Sequence, residues 1–199
     1  MLTAVRRERS AIGGGTEHLP AAMSVEQDET LAKARGGDAN AFNALVRRHQ
    51  SMVFSLAVHA LRNRAAAEDL AQDVFLRLYR DIGCLESTPH VMSWLRRVTS
   101  HRCIDELRRR RYQRELAMDA VPERSVAPST REMILEDRIQ RLVASLPPRA
   151  RMVVVLRYQE DLDPSEIADA LQMPVNTVKS HLRRSLAVLR ARLLKDRSR

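Results

Sequence analysis

The chain has 199 residues, enough for one domain or two small ones, and its 44% hydrophobic content supports a core while 4% aromatics with abundant Ala, Leu, Arg and Glu favour helices. No apolar run approaches the roughly 18 residues that a bilayer span requires, and Gly13 to Gly15 follow Arg6, Arg7 and Arg9 where a secretory signal would place its apolar stretch. The formal net charge of +9 directs attention to polyanionic partners. Residues 1–24 lack periodicity and read as a flexible extension. Residues 25–35 have helical composition, stopped by Gly36-Gly37. Asp38 is placed to cap a second helix, whose Phe42, Leu45, Val46, Val53, Leu56 and Ala60 form one buried stripe. A third helix is expected from about Ala65 to Arg80, with Gly83 just beyond it. Thr88-Pro89 reads as an N-cap followed by proline at the first helical position. The fourth helix carries Val91, Trp94, Leu95 and Val98 inward and runs into an arginine-rich stretch.

Residues 115–130 then lose the apolar stripe. Pro122, Pro128, Ser125, Ser129 and Thr130 mark a linker. Ser129-x-x-Glu132 is a capping box, opening a helix that buries Leu135, Ile139, Leu142 and Leu146. Pro147-Pro148 ends that helix and starts another through Val153 to Tyr158. Asp163, Pro164 and Glu166 next have the form of an N-cap, a first helical residue and its reciprocal partner. A short helix follows with Ile167, Ala168 and Leu171 inward. Gln172-Met173-Pro174 makes the turn, with Gln172 where glycine usually relaxes it. The last helix is expected to bury Val175, Val178, Leu182, Leu186, Leu189 and Leu193 along one side. Its other side presents Asn176, Thr177, Lys179, Ser180, Arg183 and Arg184. Short polar residues at a helix start, with basic residues behind them, suit base reading in a major groove with phosphates held by arginine.

Several function classes have no footing. All six glycines precede residue 84, and no phosphate-cradling glycine loop opens a helix. Cys84 and Cys103 form no C-x-x-C pair, so a cysteine metal centre is not expected. His49, His59 and His101 are scattered, and no nucleophile–base pair or paired acid–base site emerges. No catalytic residue, metal or cofactor is therefore assigned. Positive charge is concentrated instead. Residues 94–114 hold eight arginines against Asp105 and Glu106, a net +6, and residues 179–199 carry +7, leaving the remainder at −4. Two basic patches on a mildly acidic body suggest two contacts with nucleic acid.

The motifs carry a resemblance. Glu166-Ile167-Ala168 and Thr177-Val178-Lys179-Ser180, within residues 146–194, resemble region 4 of the extracytoplasmic-function (ECF) group of bacterial RNA polymerase sigma factors. Ala67-Glu68-Asp69-Leu70-Ala71-Gln72-Asp73-Val74-Phe75 is similar to the polymerase-docking segment of region 2. Trp94-Leu95-Arg96-Arg97-Val98 and Ile104-Asp105-Glu106-Leu107-Arg108-Arg109-Arg110 look like its promoter-melting segment. Both blocks, in order, cover residues 27–194. The chain has His101 where the family often has asparagine, and Asn176 and Gln172 where glycines are common.

The resemblance implies an all-α chain of two small helical domains: a region 2-like bundle over 25–114 and a region 4-like helix-turn-helix domain over 131–199, joined by a flexible linker. It implies core RNA polymerase binding by Asp69, Gln72, Asp73 and Leu76, whose i, i+3, i+4, i+7 spacing puts them on one helix face. It implies minus-ten recognition and melting by Trp94, Arg96, Arg97, His101, Arg102, Arg108 and Arg109, with the loop Asp81 to Thr88 as the place to read a flipped base. Minus-thirty-five recognition falls to Asn176, Thr177, Lys179, Ser180, Arg183 and Arg184. Promoter DNA, core polymerase and an anti-sigma factor are the implied partners, in the cytoplasm, without membrane insertion or a small-molecule substrate. The alternative is an autonomous helix-turn-helix regulator that binds duplex DNA without polymerase. The acidic stripe and the separate basic helix speak against it.

Overall fold

The structure, a computed structural model, describes residues 21–116 and 131–197. These form eight α-helices, with no strand among the described residues: α1 (Ala21–Arg35), α2 (Ala39–Leu61), α3 (Arg64–Asp81), α4 (Thr88–Leu116), α5 (Arg131–Ala144), α6 (Pro148–Gln159), α7 (Pro164–Leu171) and α8 (Val175–Arg197). The expected linker falls almost wholly outside the described residues, as do the extension up to residue 20 and Ser129 of the predicted capping box. At the edges of those gaps the helices overrun expectation. α1 begins four residues earlier, at Ala21, and α4 continues through Glu115 and Leu116.

Local chemistry sets the boundaries in the first group, α1–α4. Gly37 takes φ +91, the left-handed turn that glycine adopts without a side-chain clash. Asp38 Oδ1 then accepts from Asn40 N–H at 2.8 Å and Ala41 N–H at 3.2 Å, satisfying two donors at the start of α2. α2 ends at Arg62, in the left-handed region at φ 53, and Asn63 caps α3 by accepting from Ala66 N–H at 2.9 Å. A single 3-10 turn, Ile82–Cys84, follows α3. The cap of α4 lies one residue ahead of the predicted Thr88. Ser87 Oγ accepts from His90 N–H at 3.4 Å, and Thr88 is instead tied to Asp28 of α1, donating through N–H and Oγ1 at 3.0 and 2.9 Å. Leu45, Val53, Leu56, Ala60, Val91, Trp94, Leu95 and Val98 are buried as the spacing predicts, while Phe42 and Val46 are half-buried.

In the second group, α5–α8, Pro147 precedes α6 and Pro148 occupies its first turn. Asp163 and Glu166 form the complete capping box. Asp163 Oδ1 accepts from the Ser165 and Glu166 N–H groups at 2.7 and 2.9 Å, and Glu166 Oε2 accepts from Asp163 N–H at 2.8 Å. Burial along α5 and α8 is narrower than the periodicity suggests. Leu146 and Val178 are buried, but Ile139, Val175 and Leu186 are exposed, and Leu142, Leu182, Leu189 and Leu193 are half-buried. The reason is coverage: α8 has 23 residues, whereas the α5, α6 and α7 helices packed against it have 14, 12 and eight.

The two groups pack together. α6 and α7 lie on α4, α6 also lies on α2, and one continuous cluster of buried side chains contains Leu56, Trp94, Leu95, Val153, Leu156, Ile167 and Val178. Arg151 Nη1 donates to Ala60 O at 2.9 Å, supporting the end of α2. Arg62 Nη2 pairs with Asp137 Oδ1 at 2.7 Å. The two groups thus share a core in this structure, and the linker expected between them lies almost wholly outside the described residues.

Candidate functional site

Three surfaces collect the predicted site residues. The first is α3. Ala67, Leu70 and Val74 turn inward, leaving Asp69, Gln72, Asp73 and Leu76 exposed on one side. Leu76 is 51% exposed. The same stripe continues to Tyr79, 61% exposed, whose ring meets Phe42 edge-on at 5.1 Å between centroids. Tyr79 stands at i+10 from Asp69, so the helical spacing that selected the other four residues also reaches it. An exposed leucine and tyrosine beside carboxylates form a mixed apolar and acidic surface of the kind that anchors protein partners.

The second surface is α4 and its approach. A cleft of about 480 Å³ separates α3 from α4, with Asp69 and Asp73 on one wall and Arg102, Asp105, Arg109 and Arg110 on the other. Arg102, Arg108 and Arg109 are exposed, while Arg97 and His101 are half-buried. The arginine run is laced internally. Glu106 accepts from Arg109 Nε at 2.9 Å and from Arg110 Nε at 2.7 Å, and Arg108 lies 3.8 Å from Asp105. The hydrogen bond from Arg109 is the first cause holding the Glu106 carboxyl below the usual range; burial opposes it and Arg110 assists. In this structure these pairs turn Arg109 and Arg110 toward Glu106. Trp94 differs from the rest of the predicted melting set: at 6% exposure it is a core residue. It locks the start of α4 and so positions the arginines that follow. In the predicted base-reading loop, Gly83 and Cys84 are exposed and Leu85 is buried beneath them. Arg35 Nη2 donates to Gly83 O at 3.3 Å, tying the loop to α1. Cys103 is buried, and burial pushes its thiol up to about 12, so no reactive thiolate stands there.

The third surface is the helix-turn-helix of α7 and α8. Gln172 takes the left-handed conformation at φ 49 and its N–H reaches Ala168 O and Asp169 O, closing the turn without glycine. The Glu166 backbone N–H, with the Ser165 hydroxyl next, holds the Asp163 carboxyl below its ordinary range, which keeps the cap charged. Asn176, Thr177, Lys179, Arg183 and Arg184 are exposed and Ser180 is half-buried. Asn176, Thr177, Ser180 and Arg184 line one shallow cleft together with His181. Sequence spacing gives no sign of His181, whose position falls between the apolar and polar faces. Burial, then Arg184 and Arg149, lower its pKa, so a neutral imidazole faces this cleft.

Comparison with known proteins decides what these surfaces belong to. Residues 45–112 match Sigma-70 region 2 and residues 136–189 match Sigma-70 region 4. The ECF RNA polymerase sigma factor SigM of Mycobacterium tuberculosis is 32% identical over 184 residues, covering 92% of this chain and 90% of its own. The chain belongs to the ECF sigma factors. SigW of Bacillus subtilis is 28% identical over 188 residues, covering 86% of this chain and 98% of that protein. The fold of this sigma factor is shared by CnrH, solved with the cytosolic domain of CnrY, at a TM-score of 0.62 and 23% identity over 85% of this chain and 98% of CnrH. RpoE of Bartonella quintana, solved with the anti-sigma factor NepR, aligns at a TM-score of 0.63 and 17% identity over 77% and 96%. Among the described residues of this sigma factor, no helix is long and apolar enough to cross a membrane.

Proposed function

We propose that this chain is a cytoplasmic, non-enzymatic ECF sigma factor that docks on core RNA polymerase, brings it to specific promoters and nucleates strand opening. The observation that carries the reading is the coexistence of an exposed acidic and apolar stripe on α3 with the exposed polar face of α8. A DNA-binding regulator acting alone has no use for the first. In this reading Asp69, Gln72, Asp73, Leu76 and Tyr79 meet a basic helical surface of the polymerase, where desolvated charge pairs fix register and leucine and tyrosine anchor. The α8 residues Asn176, Thr177, Ser180 and Lys179 read the upstream element in the major groove, and Arg183 and Arg184 hold flanking phosphates.

The second DNA contact follows from α4. Arg97, Arg102, Arg108 and Arg109 hold the phosphates of a strand being separated, and the loop from Asp81 to Thr88 receives an unstacked base. Catalysis of nucleotide addition stays with the polymerase. An anti-sigma factor is the proposed regulator, supported by the partners named for the solved relatives CnrH and RpoE. The test is run-off transcription with purified core polymerase on a genomic promoter library. A discrete set of transcripts dependent on this protein is expected. Transcription unchanged by its addition, with an intact helical spectrum, overturns the reading.

A further inference from the structure

α1 lies outside the docking stripe of α3 and outside both DNA-binding helices, yet two of its side chains hold the loop between α3 and α4 at either end. Asp28 and Arg35 stand seven residues apart and so share one side of α1. Asp28 Oδ1 accepts from Thr88 N–H at 3.0 Å and from Thr88 Oγ1 at 2.9 Å. Arg35 Nη2 donates to Gly83 O at 3.3 Å. α1 is itself well seated. Leu31 and Ala34 are buried in the core, and the helix packs on α2, on α4 and on the 3-10 turn Ile82–Cys84. Just beyond Arg35, the left-handed turn at Gly37 and the Asp38 cap fix the passage into α2.

The two ties act on different groups. Thr88 opens α4, so its N–H is one of the donors that a helix leaves without an intrahelical partner. Asp28 supplies the acceptor from another helix, and its carboxylate stands where the dipole of α4 favours negative charge. Arg35 takes the Gly83 carbonyl at the other end of the loop. Only Cys84, Leu85, Glu86 and Ser87 lie between. Leu85 is buried, and its N–H returns to Ile82 O at 3.1 Å. A four-residue segment pinned at both ends and through its middle has little freedom, while Cys84 and Glu86 remain exposed on it. A held rim with exposed groups is what discrimination of an unstacked base requires, because contacts select one base only where their geometry is fixed.

We propose that Asp28 and Arg35 are positioning residues for base selection: without touching DNA, they hold the Gly83–Thr88 rim in the shape that admits one unstacked base and turns the others away. The proposal rests on the reading of this loop as the base-receiving element. Both ties are exposed, so each adds little to global stability. Their removal loosens the rim and leaves the fold.

Two measurements on the full chain test it. The first needs no polymerase. A nitroxide attached to native Cys84 reports the motion of the rim, because Cys84 is exposed and Cys103 is buried. Asp28→Ala and Arg35→Ala are expected to shift its spectrum toward faster motion with an unchanged helical circular-dichroism signal. Asp28→Asn and Arg35→Lys, which keep an acceptor and a donor, are expected to stay close to wild type. Should an alanine variant lose helix, Thr88→Val removes the Oγ1 donor alone and carries the same comparison. Spectra of the folded variants identical to wild type overturn the clamp. The second uses unlabelled protein on core polymerase with single-stranded oligonucleotides of a promoter found by run-off transcription, varied one base at a time. At one position the preferred base is expected to win by about tenfold in wild type and by about threefold or less in the two alanine variants, with core binding and upstream duplex affinity unchanged. Asp28→Asn and Arg35→Lys should restore the preference. Equal loss at every position, or full preference in both alanine variants, overturns the positioning role. Glu86→Ala, on the rim itself, separates this from the parent reading. A changed preference in Glu86→Ala with none in the α1 variants removes the role of α1 and keeps the loop as reader. No change in Glu86→Ala or in Cys84→Ala removes base reading from the loop, and the positioning role with it, even where the nitroxide spectra show the tie.

Discussion

His49 and Gln172 show how single residues carry consequences that are measurable apart from function. His49 lies in α2 with 2% of its surface exposed. Burial, then the positive charges of Arg48 and Arg96, push its pKa down to about 4. The unfolded chain binds that proton near the ordinary 6.5, so the folded state resists protonation that the unfolded state accepts. Its contribution is complete above pH 6.5 and is lost as pH falls toward 4. A loss of about 1–3 kcal/mol across that window is expected from this residue. Urea denaturation at pH 7 and pH 5, for wild type and His49→Leu, checks it, and the substituted protein should show the smaller drop. An identical pH dependence in both would remove His49 as the cause. Gln172 offers a gain instead. It is exposed and left-handed at φ 49, so Gln172→Gly relieves backbone strain without emptying the core and should stabilise by about 0.5–1 kcal/mol in thermal unfolding. A lower melting temperature would show that the side chain, not the backbone, matters there.

Among the elements, α3 bears the most direct test of docking. Asp69 and Asp73 are exposed, so Asp69→Lys with Asp73→Lys should leave the helix folded. Core-polymerase affinity is expected to fall by several kcal/mol, on the order measured for desolvated charge pairs at interfaces. Tyr79→Ala should cost about 1–2 kcal/mol of the same affinity, as an exposed aromatic anchor would. Unchanged binding with an intact circular-dichroism spectrum removes the assignment. What could be read of these elements from sequence depended on range. The Asp38 and Asp163 caps were legible because each side chain bonds backbone only two or three residues away. The α3 stripe was legible because its buried residues define the exposed side by subtraction. Ile139 and Leu186 are exposed where their spacing predicts burial, because apolar spacing locates a face without saying whether a neighbour covers it. Both instead border an apolar groove with Val143, Tyr158 and Leu189. The α4 cap moved to Ser87 because Asp28, 60 residues away, holds Thr88, and local spacing carries no sign of that bond.

At the scale of the whole molecule, the sequence revealed two basic patches and an intervening segment but not the core that joins the two groups. Val153, Val155 and Ile167 look like ordinary interior residues of their own helices, and nothing in their spacing reports that they share a cluster with Trp94 and Leu95. That arrangement bears on how DNA is bound. The α8 face, with Arg183 and Arg184, is exposed in the packed form, whereas Arg96 on α4 is not fully available. Two DNA contacts reinforce one another only when both can engage at the right separation. The isolated protein should therefore bind duplex promoter DNA weakly, with strong salt dependence and little sequence preference, and become specific on core polymerase. Two variants separate the contacts. Arg183→Ala should lower promoter occupancy and reduce the slope of log affinity against log salt by about one phosphate's worth. Arg97→Ala with Arg102→Ala should leave closed-complex binding nearly intact and slow strand opening, read as permanganate reactivity of unpaired thymines. Gel shifts across a salt series, with and without polymerase, complete the comparison. Failure of both variants at the same step would refute two distinct contacts, and sub-nanomolar sequence-specific binding by the isolated chain would favour a regulator that works alone.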